Sequence, residues 1–396
     1  MTNGAVEVSY TAPAAVRAVV ESLGRTEDIR FSPDGRRLAV VAFNRNRIAV
    51  FDIEVSRAAS APSVALTGVV EITSSALERP HGIDFISDGM LIVANREGDA
   101  VTFALPRGAA EGQCFELAPV QVLRAAVPNL LRSPGSVFVT RAGRQAREVL
   151  ICDNSAHCVT RHALGGADGA AIDRGDVLLR KWLDVPDSVT VSSDRQWIAV
   201  SNHNTHSVLL YENTPSLTPS ADPDGLLRCV QYPHGLRFSP DGRHIFLADA
   251  GAPYVHVYAR GEQGWRGLRN PVSSFRVMDD VLFQNGRSSP QDGGPKGLDI
   301  DGDMNMLVVT SECQPLAFFD PSAMLQGLGG AAGRDEHKLQ IRSELEIAAE
   351  SRHAQLRAEA KAARARAKLA AVKASASWRL TKPLRWVHSA LRRRPD

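Results

Sequence analysis

The chain has 396 residues, of which 44% are hydrophobic and 23% charged, with a net charge of +2. That composition suits a globular core and excludes a collagen-like or wholly disordered chain. No run of about 18 uninterrupted apolar residues is present, which argues against a membrane span, and the N-terminus lacks the basic start and apolar stretch of a signal peptide. Five scattered cysteines, Cys114, Cys152, Cys158, Cys229 and Cys313, suit reduced thiols in a cytosolic protein.

In chain order, one pattern recurs. An apolar alternating run, a turn of the Ser-Pro-Asp-Gly kind, a second alternating run, a polar loop and a third run occupy 27–53, 80–105 and 233–260. Weaker copies occupy 134–164, 186–212 and 295–320. Pro presets φ in such a turn and Gly supplies the positive φ that leaves it. With Asp28, Gly82, Gly135, Asp187, Gly235 and Gly297 taken as equivalent, the spacings are 54, 53, 52, 48 and 62. Six units with a period of about 50 residues read as the blades of an all-β six-bladed propeller.

Further apolar runs at 64–72, 115–123, 177–183, 226–232 and 272–278 supply five outer strands. The sixth copy has none, and 16–23 (VRAVVESL) is expected to complete it as an N-terminal strand that closes the ring. The propeller is expected over 1–326, a Gly-rich hinge over 327–333, a charged spacer helix over 334–374 and an amphipathic basic tail over 375–396. Charge divides along the same line: residues 334–396 hold 16 Lys and Arg against 7 Asp and Glu, leaving 30 against 37 in 1–333. The spacer is rich in strong helix formers, and Ile341, Leu345 and Ala348 begin an apolar seam that Arg352 and Glu359 interrupt. It reads as a solvated helix, with oligomerisation through it as the alternative.

The tail sets Trp378, Leu380, Leu384 and Trp386 beside Arg379, Lys382, Arg385, Arg392, Arg393 and Arg394, with Pro383 at a helix start or kink. Tryptophans and leucines among cations fit a lipid interface or a partner protein; nucleic acid is not expected.

The PxG–SPDG repeat resembles six-bladed propellers of the YVTN, NHL and lactonase-like superfamily over about residues 10–320. The tail, Ser377-Trp378-Arg379-Leu380-Thr381 with Pro383-Leu384-Arg385, is similar to tails on bacterial glycosyltransferases and methyltransferases of surface-polysaccharide assembly. That second resemblance implies a place at the cytoplasmic face of the inner membrane, near glycan-assembly enzymes.

The fold expected from the first resemblance opens two sets of loops on one channel mouth. The loops leading into inner strands carry Asp28, His81, Asp187, His234 and Lys296; those leaving second strands carry Asn44, Asn95, Asn154, Asn202, His203, Asp249 and Glu312. Such a ring suits a divalent cation, a glycan or a small polar ligand, with no cofactor required. Asn and Asp also end strands for purely structural reasons. Sugar lactonases of the superfamily hold a metal through Glu, Asn and Asp. This chain lacks their Glu-Gly opening, having Thr26-Glu27-Asp28-Ile29, and the nearest counterpart of their Asn-Asp pair is Asp153-Asn154. With no Gly-x-Ser-x-Gly elbow and no HExxH motif, no catalytic residue is assigned. The expected function is a noncatalytic binding or scaffold propeller in surface-polysaccharide biosynthesis; the alternative is a metal-dependent lactonase-like hydrolase.

Overall fold

The structure is a computed structural model that describes residues 2–4, 7–58, 61–106, 113–123, 130–165, 171–326 and 338–374. Six sheets form the blades of a propeller, and the successive strands of each blade pair antiparallel. Their innermost strands are Thr26–Phe31, Pro80–Ser87, Pro134–Ala142, Pro186–Val191, Pro233–Phe238 and Leu298–Ile300. Each packs against the next, and the sixth returns to the first.

Local chemistry writes each blade. In the first, Ser32 Oγ accepts from Arg37 N–H at 2.9 Å and donates to Asp34 at 2.6 Å, while Gly35 takes φ +73° to leave the turn. Gly242 does the same in the fifth blade at +68°. Alternation then places one strand face against each neighbouring blade. Between the first two blades, Val41, Ile48 and Ile72 meet Ile83, Leu91 and Phe103 in one buried cluster. The core is therefore a set of layers between blades.

Two further devices hold the ring. Asp84 Oδ2 accepts from Val139 N at 2.7 Å, and Asp299 Oδ2 accepts from Phe31 N at 2.8 Å, each crossing to the next inner strand. Asp28 Oδ2 does likewise to Ile83 N at 3.1 Å. Backbones also approach closely. A Cβ on Gly297 would lie 2.6 Å from Asp28 Cα, so only glycine fits there.

The N-terminal region closes the ring, but through different residues from those expected. Residues 16–23 are not a strand: Ala14–Ser22 is a helix that buries Val16 and Val20 against the first and last blades. Val16, Val20 and Leu23 are spaced four and three apart, which is one helical face. Closure comes from upstream. Glu7 bridges Phe319 of the sixth sheet, Val8 N donates to Phe318 O at 2.8 Å, and strand Thr2–Gly4 adds in parallel to Ser273–Arg276 of the fifth.

The expected outer strand at 64–72 is longer than its apolar run, spanning Ala61–Thr73, whereas those of the later blades are shorter, Asp176–Leu179, Gly225–Leu227 and Ser273–Arg276. The run at 115–123 splits. Cys114–Glu116 pairs with the first blade and Gln121–Leu123 with the second.

The chain divides into two units, Met1–Arg342 and Ser343–Asp396. Helix Lys338–Ala374 contains no Gly or Pro, and Ile347, Leu356, Leu369 and Val372 on it are exposed. No described helix is long and apolar enough to cross a membrane. The hinge at 327–333 and the tail residues Trp378 to Arg394 lie outside the described residues.

Candidate functional site

One local irregularity builds the site five times over. In blade two, Pro80 pairs with Asn95 but Gly82 with Ala94, so His81 is an extra, unpaired residue. Blade four repeats this, with Pro186 opposite Asn202 and Ser188 opposite Ser201, leaving Asp187 over. Blade three leaves Gly135 over, and the first and fifth inner strands carry the same one-residue shift, over Thr26/Ile29 and Pro233/Leu236. A bulge bends the strand and re-aims the extra side chain. The corresponding residues are Glu27, His81, Gly135, Asp187 and His234, with Lys296 ahead of the sixth strand.

Blade one therefore contributes Glu27 to the mouth, rather than Asp28. The Asp28 carboxylate is taken up by Ile83 N and Arg30, deeper among the inner strands. Aligning Ile29 and Phe31 with Ile83 and Phe85 by their alternation pairs Glu27 with His81; that signal was in the sequence.

The side chains converge. Ligand-capable atoms of Glu27, His81 and His234 all lie within 4.8 Å of one another, and all three residues are buried. Glu27 Oε2 is 3.6 Å from His81 Nε2, 3.4 Å from His234 Nε2 and 3.8 Å from Lys296 Nζ. His234 Nε2 also lies 3.3 Å from Asp187 Oδ2, and the rings of His81 and His234 stack at 5.3 Å. Lys296 Nζ further contacts Glu312 at 3.2 Å and Asp292 at 3.3 Å, and Arg25 pairs with Glu27.

Surrounding groups orient these atoms. His81 Nδ1 donates to Gly135 O at 2.5 Å, which leaves Nε2 as the lone-pair nitrogen facing Glu27. Asn154 sits over Gly135, where any side chain would collide with its amide, and donates to Asp187 Oδ1 at 2.9 Å. Arg96 reaches the same oxygen at 3.4 Å. His203 places Nδ1 3.5 Å from Asp187 Oδ2 and Nε2 3.1 Å from Gln291 Oε1.

Protonation follows from burial and neighbours. Burial pushes the His81 imidazole down to about 3, so it is neutral and available as a ligand. Burial opposes ionisation of Glu27, but Lys296 first, with His234 and Arg25, holds its carboxyl well below the usual range. Asp187 is held low in the same way, against its burial, by His234 and Arg96. Burial would lower Lys296, yet Glu27 and Glu312 raise it, so the ammonium stays charged.

The other sequence candidates have different company. Asn95 Oδ1 accepts from Glu78 N, and its amide donates to Ala76 O and Asp99 O. Asn202 accepts from Asp184 N and donates to Trp182 O and Thr205. Asp249 accepts from Gln231 N, Tyr232 N, Gly251 N and His256. All three tie their own blade's loop to the end of its second strand.

Comparison with known proteins bears on the fold. A family model described as the lipoprotein LpqB β-propeller domain matches residues 1–144. Among solved structures, a putative 6-phosphogluconolactonase from Bacteroides fragilis is 13% identical, with 72% of this chain and 76% of that chain covered and a TM-score of 0.46. One from Bacteroides uniformis is 14% identical, covering 72% and 77%, at 0.45. A periplasmic gluconolactonase from Pseudomonas aeruginosa is 17% identical, covering 72% and 77%, at 0.48. No curated protein matches the chain. The chemistry has to be argued from the mouth itself.

Proposed function

We propose that the propeller is a hydrolase that opens a cyclic ester of a polyhydroxylated acid at its channel mouth, with a divalent cation held by Glu27, His81 and His234. One observation carries this reading: a buried carboxylate oxygen without a hydrogen-bond partner faces two imidazole nitrogens. Two histidines and one glutamate are a donor set suited to a catalytic zinc-like ion, and ligands about 2.1 Å from such an ion stand about 3.4 Å apart. The separations of 3.4 and 3.6 Å around Glu27 Oε2 fit. When bound, the ion would supply Lewis acidity to an ester carbonyl and favour ionisation of water.

The chain's own residues do the rest. His203, with Asp187 beside its Nδ1, would take the proton from the attacking water. The Lys296 ammonium, 3.8 Å from Glu27 Oε2, would offset negative charge that develops on the carbonyl oxygen as it becomes tetrahedral. The water oxygen bonds to the acyl carbon, the ring C–O bond breaks, and the proton passes to the departing alkoxide.

The test uses the full chain: metal content, calorimetric titration with zinc and manganese, and ring opening of a panel of aldonolactones. Stoichiometric uptake lost in Glu27→Gln and His81→Ala, with ring opening lost alongside, is expected. A protein that takes up neither ion and opens no lactone would overturn the reading.

A second reading is a noncatalytic platform that binds a glycan or small polar ligand. It is favoured by Lys296, which already balances Glu27 and Glu312 without an added ion. In that version the tail residues Trp378 to Arg394 hold the propeller at an anionic membrane surface or on a glycan-assembly enzyme. Ligand binding without turnover is its signature.

A further inference from the structure

The longest repeat interval, 62 residues between Gly235 and Gly297, contains an insertion that reaches over the mouth. Asp279 caps helix Asp280–Gly286 by accepting from Leu282 N at 2.7 Å, and Phe283 is buried beneath it. The chain then turns through Ser288 and Ser289, whose hydroxyls both donate to Asp292 at 2.8 Å. Gly293 takes φ +102° and donates to Glu312 at 3.2 Å. Gly294 lies so close to Asp249 O and Ala252 O that no side chain fits, and its N–H donates to Ala250 O at 3.0 Å. The insertion is thus pinned on the fifth and sixth blades.

From this anchored turn, Gln291 extends to the fourth blade. The residue is exposed, yet its Oε1 meets Nε2 of the buried His203 at 3.1 Å. An amide oxygen only accepts, so this contact puts the ring proton on Nε2. Nδ1 is then a lone-pair nitrogen, and no hydrogen bond reaches it. Asp187 favours the opposite arrangement, because a carboxylate oxygen 3.5 Å from Nδ1 would draw the proton to that side. Two neighbours compete for one tautomer.

We propose that Gln291 is a positioning residue of the mouth: it holds His203 with the proton on Nε2, so that Nδ1 remains a proton acceptor beside Asp187. Its role in turnover rests on the hydrolytic reading, whereas its control of the tautomer does not. The insertion matters because it carries an acceptor from a segment pinned on the fifth and sixth blades to a histidine of the fourth.

The tautomer is read directly by two-bond proton–nitrogen correlation on the full chain labelled at histidine nitrogen, at constant neutral pH. The His203 signal is assigned by its loss in His203→Asn. The expected wild-type pattern is Nε2–H. Gln291→Ala should move the proton to Nδ1, and Gln291→Glu, which keeps an acceptor, should retain the wild-type pattern. A wild-type Nδ1–H signal, or an unchanged pattern in Gln291→Ala, overturns the proposal. If lactone ring opening is found, Gln291→Ala should lower kcat by about tenfold or more with KM moving less, and Gln291→Glu should restore it. A tautomer that switches in a protein without ring-opening activity keeps the Gln291 assignment and removes only the hydrolytic reading.

Discussion

Two polar rings line the same inner strands, three residues apart, and they differ in kind. The mouth ring holds Glu27, His81, Asp187, His234 and Lys296; the deeper one holds Arg30, Asp84, Arg237 and Asp299. Buried side-chain atoms without a hydrogen-bond partner are acceptors at the mouth: Glu27 Oε2, Asn154 Oδ1, His203 Nδ1 and Glu312 Oε1. In the deeper ring they are donors on Arg30 and Arg237. The deeper carboxylates bolt neighbouring inner strands together through Val139 N and Phe31 N, so that ring serves the fold. The mouth gathers a carboxylate and two imidazoles around one point, which is what a cation or a donor-rich ligand requires. Buried charge alone does not mark a site; the direction of the unmet hydrogen bonds does.

Breaking the deeper ring should cost most. Asp299→Ala removes the acceptor of Phe31 N and the partner of Arg237, 3.0 Å away, and leaves a buried guanidinium uncompensated. A loss of about 3–5 kcal/mol in denaturant unfolding is expected, with cation uptake per folded molecule unchanged. A loss below about 1 kcal/mol would erase the distinction between the rings.

Asn202→Ala comes next. It deletes three hydrogen bonds to the loop of its own blade, so about 1–3 kcal/mol of stability should go. Zinc affinity should stay within a factor of about two, since 1.4 kcal/mol would be tenfold. A large affinity loss would move Asn202 into the site.

Glu27→Gln should do the reverse. Lys296 keeps Asp292 and Glu312 as partners, so unfolding should shift by about 1 kcal/mol, while cation uptake falls at least about tenfold.

The pH dependence sharpens the contrast further. Burial pushes the Asp299 carboxyl up to about 6, against the pull of Arg30. The folded state then holds a proton more tightly than the unfolded chain. This contribution to stability is full below the ordinary aspartate range and is lost as pH rises through about 6. Asp28, pushed by burial up to about 7 with the Asp299 charge adding to it, titrates together with Asp299. Asp299→Asn should therefore flatten the wild-type slope between pH 4 and 7 in denaturant midpoints; an unchanged slope would place the titration outside this pair.

The smallest effect on the fold is expected from the tail. Removing 375–396 should leave the unfolding midpoint unchanged and abolish flotation with anionic vesicles. Full flotation of the shortened chain would refute membrane anchoring by that segment.

Much of this was legible in the residues. The Ser-Pro-Asp-Gly turns and the alternation of GLRFS and HIFLAD are local, so they announce strands wherever they stand. His81, Asp187, His234 and Lys296 follow a proline in each copy and were readable as one ring. Glu27 was harder to pick out, because its copy has Thr26 in place of proline and the neighbouring Asp28 offered an equally acidic candidate; only the offset from Ile29 and Phe31, matched to Ile83 and Phe85, pairs it with His81. In the structure the bulge decides between them. Residues 16–23 misled because VRAVVESL is apolar enough for a strand, while the spacing of Val16 and Val20 belongs to a helix. Gln291 had no signal beyond the length of the interval around it.

The sequence by itself determined the number of blades and the chemical character of the mouth, since both rest on short-range turn chemistry and a fixed offset from each turn. Tertiary structure alone decided which residues close the ring and which polar atoms meet. Those outcomes depend on contacts between segments far apart in the chain, such as Val8 with Phe318 and Glu27 with His234. No local periodicity encodes such separations, because they are set by how six blades pack about one axis.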